Sequence, residues 1–263
     1  MIQTTTMPQV SSAKLFRQDN PWLWLVGNWL EVAFIHYRVP AEILQPHVPY
    51  PLDLFEGEAY VSLVAFTLNR MRPNIGGKTT ELLFRPIATH QFLNVRTYVM
   101  VNGEPGIMFL AEILNNKLSI PLGPAVYALP YRLGKIRYRH DEKGFAGEIK
   151  SEAGTVSYSG VGVGKAETAE EGSLDAFLLE RYSAFNETSG RRKMFRVDHK
   201  PWQARRAEVT LDDESLLRSW YPWFEAAEYC GAHVSKGVTE VKMGLPSAVK
   251  ADGSEEPGKI QGS

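Results

Sequence analysis

The sequence predicts a mainly β fold with a few helices, and three observations carry that expectation. Many short runs alternate apolar and polar residues, β-branched and aromatic residues concentrate inside them, and Gly, Pro and Asn punctuate them. The runs are EAYVSLVAFTL (58–68), NVRTYVMV (94–101), GIMFLAEIL (106–114), GKIRYRH (134–140) and TVSYSGVGV (155–163). Helices are few by the same reading. Pro40 followed by AEILQPHV suits one or two turns, with proline near the start where its missing N–H costs nothing. The clearest helix is SLDAFLLERYSAF, with Ser173 as its cap and Leu174, Phe177, Leu178, Tyr182 and Phe185 on one face.

The chain has 263 residues, no internal repeat and no composition break, which fits a single domain over residues 15–249. Residues 1–14 read as a flexible polar tail and 250–263 as a disordered one. Cys230 is the one cysteine, so no intrachain disulfide can form, and it reads as a small buried hydrophobe. Net charge is −1, which provides no broad field for nucleic acid or an anionic membrane. The most apolar run, PWLWLVGNWLEVAFI (21–35), is interrupted by Asn28 and Glu31 and is shorter than the roughly 20 residues a spanning helix needs. The start, MIQTTTMPQVSSAK, lacks the apolar core of a secretory signal, so the expected location is the cytoplasm.

The hairpin 94–117 carries the polar residues of interest. Two turns compete at NGEPG: a two-residue Asn102-Gly103 turn, and a five-residue loop. The first places Pro105, which has no N–H, inside the ladder, so the longer loop is preferred. It pairs Val101 with Ile107 and, further along, Arg96 with Glu112. One face is then apolar apart from Thr97. The other mixes Asn94, Arg96, Tyr98, Met100, Met108, Leu110, Glu112 and Leu114. That mixture is too charged for a dry core and too apolar for a solvent face. It fits a half-wet cavity, with an exposed cross-strand ion pair as the alternative.

The segments FIHYRVPAEILQPHVPYPLDLFEGEAYVSLVAF, NVRTYV, NGEPGIMF, ALPYRLGKI, GSLDAFLLERY, HKPW and HVSKGV, taken in this order, resemble the YqjF-like family of the acetoacetate decarboxylase-like superfamily. The resemblance runs from about Trp22 to Pro246 and implies a cone-shaped antiparallel β-barrel with a central cavity and a few flanking helices. In the decarboxylase branch a lysine in a Tyr-Pro-Lys-Lys-Leu-Gly-like segment forms a Schiff base. The nearest wording here is Leu129-Pro130-Tyr131-Arg132-Leu133-Gly134, without a lysine, which argues against acetoacetate decarboxylation itself. In a second alignment GIMFLAEIL resembles the decarboxylase stretch that ends in a functional glutamate, which maps to Glu112, and Lys117 falls one residue short of the reactive lysine. Phe92-Leu93 stands where the family often has an acidic residue.

The candidate catalytic residues are therefore Lys117 as an amine nucleophile and Glu112 as a proton carrier. Arg96 is the candidate carboxylate clamp, with Asn94, Tyr98, Tyr131 and Arg132 as further substrate contacts. Lys135, Arg137 and Arg139 read as a solvated strand face. Trp220, Tyr221 and Trp223 read as core or barrel rim. His199, in His199-Lys200-Pro201-Trp202, reads first as a packed strand entry and second as a site residue. The six histidines have no zinc spacing, and no GxSxG, GxGxxG or P-loop occurs, so no metal and no cofactor are expected. The expected partner is a small-molecule ligand, with a homo-oligomer as an option. If the protein is an enzyme it is a decarboxylase-like lyase acting on an organic or keto acid. The alternative is a non-catalytic binding or sensing module built on the same cavity.

Overall fold

The computed structural model describes residues 25–141 and 144–249. Both expected tails, and residues 15–24 of the expected domain, lie outside them. The strands are β1 (Leu25–Val39), β2 (Ala59–Pro73), β3 (His90–Val101), β4 (Glu104–Leu114), β5 (Tyr131–Leu133), β6 (Lys135–His140), β7 (Phe145–Ser151), β8 (Gly154–Gly162), β9 (Ser183–Thr188), β10 (Arg191–Asp198), β11 (Ala204–Asp213), β12 (Glu228–Met243) and β13 (Ser247–Ala248). Five short helices are added: α1 (Ala41–Leu44), α2 (Gly77–Phe84), α3 (Leu122–Tyr127), α4 (Leu174–Leu179) and α5 (Ser215–Trp220). The fold is mainly β, as the alternating runs predict.

Strands β12, β1, β2, β3, β4, β9 and β10 are neighbours in that order, and β10 pairs again with β12 through Val197↔Met243, which closes a ring. Most pairings are antiparallel, but β4 meets β9 and β5 in parallel. From β12 the sheet continues outward through β11, β8, β7 and β6. This extension folds over the outside of the ring. Odd-numbered residues of β1–β3, such as Ile35, Leu63 and Val95, pack with Ile149, Val156 and Tyr158 in the outer core. Even-numbered ones, such as Phe34, Phe66 and Phe92, fill the ring interior. Strands covered on both faces read as nearly continuous apolar runs, because neither face meets bulk water. Residues 25–35 of the run that looks most apolar in the sequence belong to β1.

Two local expectations are corrected. The β3–β4 hairpin uses the short turn after all: Val101 pairs with Glu104, and Asn102 and Gly103 take φ of 51° and 76°. Pro105 is tolerated because Met100↔Pro105 is the next pair along, where backbone groups of an antiparallel ladder point away from each other. Met100 N–H turns to the Pro51 carbonyl instead, at 2.9 Å. The short turn swaps the faces of residues 104–109 relative to the expected register. A bulge at Leu110, between Arg96↔Phe109 and Val95↔Ala111, then restores them. Ile107 and Phe109 therefore face the interior and Met108 the outer core, while Glu112 keeps its expected side.

The helix over 173–185 stops at Leu179. Ser173 Oγ caps it by accepting from Ala176 N–H at 3.1 Å, but Ser183–Thr188 are drawn into β9 by pairing with β10. A ladder along a neighbouring strand outweighs local helical periodicity here. Cys230 is exposed rather than buried, because the first residues of β12 project past the outer core. Lys135, Arg137 and Arg139 are exposed as expected, and Trp223 and Phe224 belong to the outer core.

Candidate functional site

The ring interior holds a cavity with about 110 Å3 open to the centres of water molecules. One water needs about 10–15 Å3 by that measure, so the space suits a small organic molecule. Its wall is mostly apolar and rich in aromatic rings, including Trp29, Phe34, Phe66, Phe92, Phe109 and Trp202. A few polar side chains interrupt it, and they come from different strands.

Arg96 and Asn94 are two residues apart on β3 and share its inner face, about 7 Å from each other by strand geometry. Arg96 is 7% exposed and has no carboxylate in ion-pair range among the described residues. Its Nη2 donates to the Leu178 carbonyl at 3.0 Å, while its Nε has no hydrogen-bond partner. The guanidinium lies 5.7 Å from the Phe34 ring centre, a face that attracts cations.

Glu112 sits directly opposite Asn94 on β4 and is 5% exposed. Its Oε2 and the Asn94 Oδ1 lack hydrogen-bond partners. Burial in this apolar wall pushes the Glu112 carboxyl up to about 8, so it is largely protonated at neutral pH. The expected pairing of Arg96 with Glu112 does not form: the hairpin turn and the bulge set Arg96 against Phe109. Tyr131, brought beside Glu112 by the parallel β4–β5 contact, also lines the cavity. Its hydroxyl is held well above the usual range by burial first and by Glu112 next.

Two further ionisable groups line the cavity from outside the β3–β4 hairpin. Arg181 is locked by Asp53 at 2.7 Å and donates through Nε to the Phe177 carbonyl, so its charge is already neutralised. His199, 9% exposed, points Nδ1 at the Lys200 carbonyl at 2.8 Å. A carbonyl only accepts, so Nδ1 carries the proton and the neutral ring keeps its lone pair on Nε2. Nε2 makes no hydrogen bond to the described residues. Burial holds this histidine below its ordinary pKa.

The remaining expected site residues lie elsewhere. Tyr98 is fully buried behind the cavity wall, where its hydroxyl meets Ser62 Oγ at 2.6 Å and the Leu178 carbonyl at 2.9 Å, the same carbonyl that anchors Arg96. Arg132 is exposed and stacks on Trp220 at 4.3 Å, because it alternates with Tyr131 and so faces outward. Lys117 is an exposed turn residue after β4 and does not line the cavity, and no lysine does among the described residues. Asn94, Arg96, Glu112 and Tyr131 are thus brought together, whereas Lys117, Arg132 and Tyr98 are not part of the wall. Arg181 was hidden in the sequence by the over-long helix. His199 was visible only as a histidine flanked by a proline and a tryptophan.

The model of the DUF2071 family, described as "Uncharacterized conserved protein", matches residues 27–238. The chain belongs to that family. It is similar to the uncharacterized protein YqjF of Bacillus subtilis, at 28% identity over 201 residues, covering 72% of this chain and 78% of YqjF. In fold it is similar to MppR, an enduracididine biosynthesis enzyme, in complex with the condensation product of pyruvate and imidazole 4-carboxaldehyde. The TM-score is 0.60 at 14% identity, over 88% of this chain and 91% of MppR. An acetoacetate decarboxylase-like enzyme from Sphingomonas wittichii RW1 also gives a TM-score of 0.60, at 13% identity, over 89% of this chain and 95% of that one. The resemblance drawn from the ordered motifs is therefore correct, and this DUF2071 chain has the acetoacetate decarboxylase-like fold. Among its described residues no helix is long and apolar enough to cross a membrane.

Proposed function

We propose that the protein binds a small organic acid, a keto acid in particular, inside the ring, with the ligand carboxylate on Arg96. One observation carries the reading. Arg96 is a buried cation with no anionic partner among the described residues and with an unused N–H, and an isolated buried charge is costly unless something pairs with it. A ligand carboxylate supplies that charge, and the guanidinium fork suits it. The aromatic wall favours an apolar body behind the carboxylate. A further support is that MppR, similar in fold, is described in complex with pyruvate.

Lyase-like chemistry at this site then proceeds without a lysine Schiff base, because no lysine lines the wall among the described residues. Glu112 then serves as a proton donor, Asn94 and Tyr131 orient the ligand, and Lys117 has no part. The same absence of a lysine in the described wall leaves a purely binding or sensing role as the second reading. Titration of 2-oxobutanoate followed by calorimetry tests the shared premise. Binding is expected in the millimolar range or tighter, with loss of at least about ten-fold in Arg96→Gln. Equal affinity in that variant would rule out the clamp.

A further inference from the structure

We propose that His199 is a general base, and Glu112 its matching general acid, for proton transfer at the carbon next to the carbonyl of a 2-oxo acid held on Arg96. The proposal rests on the organic-acid reading above and adds a reaction and a residue to it.

The geometry sets the two groups in opposite roles. His199 Nδ1 is committed to the Lys200 carbonyl, which fixes the tautomer and leaves Nε2 as an acceptor in a cavity-lining residue. The ring is clamped in place by Tyr182, stacked at 4.8 Å, by Trp202 at 5.2 Å and by Trp29 at 5.9 Å. Glu112 lines the same cavity from the β3–β4 hairpin with an unpartnered carboxyl oxygen. Burial acts on the two groups in opposite directions: it keeps the imidazole neutral and the carboxyl protonated. A base without its proton and an acid with its proton, facing one space, is the arrangement that enolisation needs.

The step balances without any co-reactant. The C–H bond next to the carbonyl breaks and its proton goes to His199 Nε2, giving imidazolium. The electron pair forms a C=C bond, the carbonyl π pair moves to oxygen, and that oxygen takes the Glu112 proton. Reversal restores the keto acid, so in D2O each cycle exchanges a ligand proton for a deuteron. Several charged groups act on this pair. Glu180 raises the histidine's proton affinity, and Asp198 does so to a lesser degree, while Arg96 opposes them and burial outweighs all three. Glu112 faces the Tyr131 hydroxyl from β5 and the neutral Asn94 amide from β3. The rate must rise as His199 loses its proton, below the usual histidine range. It must fall as pH passes about 8 and Glu112 ionises.

The experiment follows the C3 protons of 2-oxobutanoate by proton NMR in D2O, with affinity and melting temperature measured on the same preparations. Wild type is expected to exchange at least about 100-fold faster than buffer. His199→Asn keeps a side-chain N–H for the Lys200 carbonyl but has no Nε2. It is expected to retain the wild-type melting temperature, bind within about three-fold of wild type and exchange at the buffer rate. Glu112→Gln still donates a hydrogen bond but gives up no proton, and is expected to slow exchange at least about ten-fold. Binding by wild type without exchange above buffer, or exchange at the wild-type rate in folded His199→Asn, overturns the proposal while leaving the organic-acid reading intact. If 2-oxobutanoate does not bind at all, that reading falls, and this one with it.

Discussion

Removing the carboxyl of Glu112 should change how stability depends on pH, and the size of the change follows from its surroundings. The ordinary value of 4.5 rises to about 8 because the group is buried with no cation beside it. Between those two values the unfolded chain has lost the proton that the folded chain still holds. Stability therefore falls as pH rises, by about 1.4 kcal/mol per pH unit, and levels off above about 8. The loss across the whole window is on the order of 5 kcal/mol, a large part of the stability of an ordinary domain. Glu112→Gln has nearly the same shape and no titration, so it should be markedly more stable than wild type at pH 8 and close to it at pH 5. Urea unfolding of both proteins at half-unit pH steps from 5 to 9, compared as the difference between them, measures this directly. A difference that stays flat, or that grows as pH falls, would refute the placement of an unpaired carboxyl in the wall.

Other expectations follow from other parts of the molecule. Asp53→Ala should cost about 3–5 kcal/mol in urea unfolding, because it leaves the buried Arg181 guanidinium without its partner. A cost below about 1 kcal/mol would mean that water reaches that pair. Gly103→Ala should cost about 1–2 kcal/mol, since residue 103 holds a φ of 76° in the hairpin turn; a neutral result would show that the turn relaxes to the longer loop. Lys117→Ala should leave ligand affinity unchanged, and borohydride in the presence of a small ketone should label Lys117 no more than other exposed lysines. Selective labelling there would restore the lysine mechanism.

Much of the site was legible because strand alternation is a local property. Alternation alone puts Asn94, Arg96 and Glu112 on one face, and the structure agrees even though it departs from the expected register. The two departures, a shorter turn and a bulge at Leu110, offset each other in parity beyond residue 110. Arg132 and Tyr131 show the limit of reading by motif. They are adjacent in sequence, yet the alternation of β5 sends one into the cavity and the other onto Trp220. Lys117 was chosen by alignment to a family pattern rather than by its own surroundings, and a turn after β4 carries it into solvent.

Sequence by itself determined that the chain is built of strands, which side chains alternate along each of them, and that a cation and an acid share an apolar face. It did so because periodicity and turn chemistry act over a few residues. Only the tertiary structure decided that the strands close into a ring, that helix 173–185 yields to β9, and that His199 and Arg181 join Arg96 and Glu112 around one cavity. Ring closure depends on pairing between residues far apart in the chain, such as β1 with β12, and Arg96 on β3 reaches Leu178 of α4 across 82 positions, while the end of the helix is set by the neighbouring β9–β10 hairpin. Closure also removes the cavity side chains from water, and that desolvation, invisible in a linear pattern, sets the protonation of Glu112 and His199.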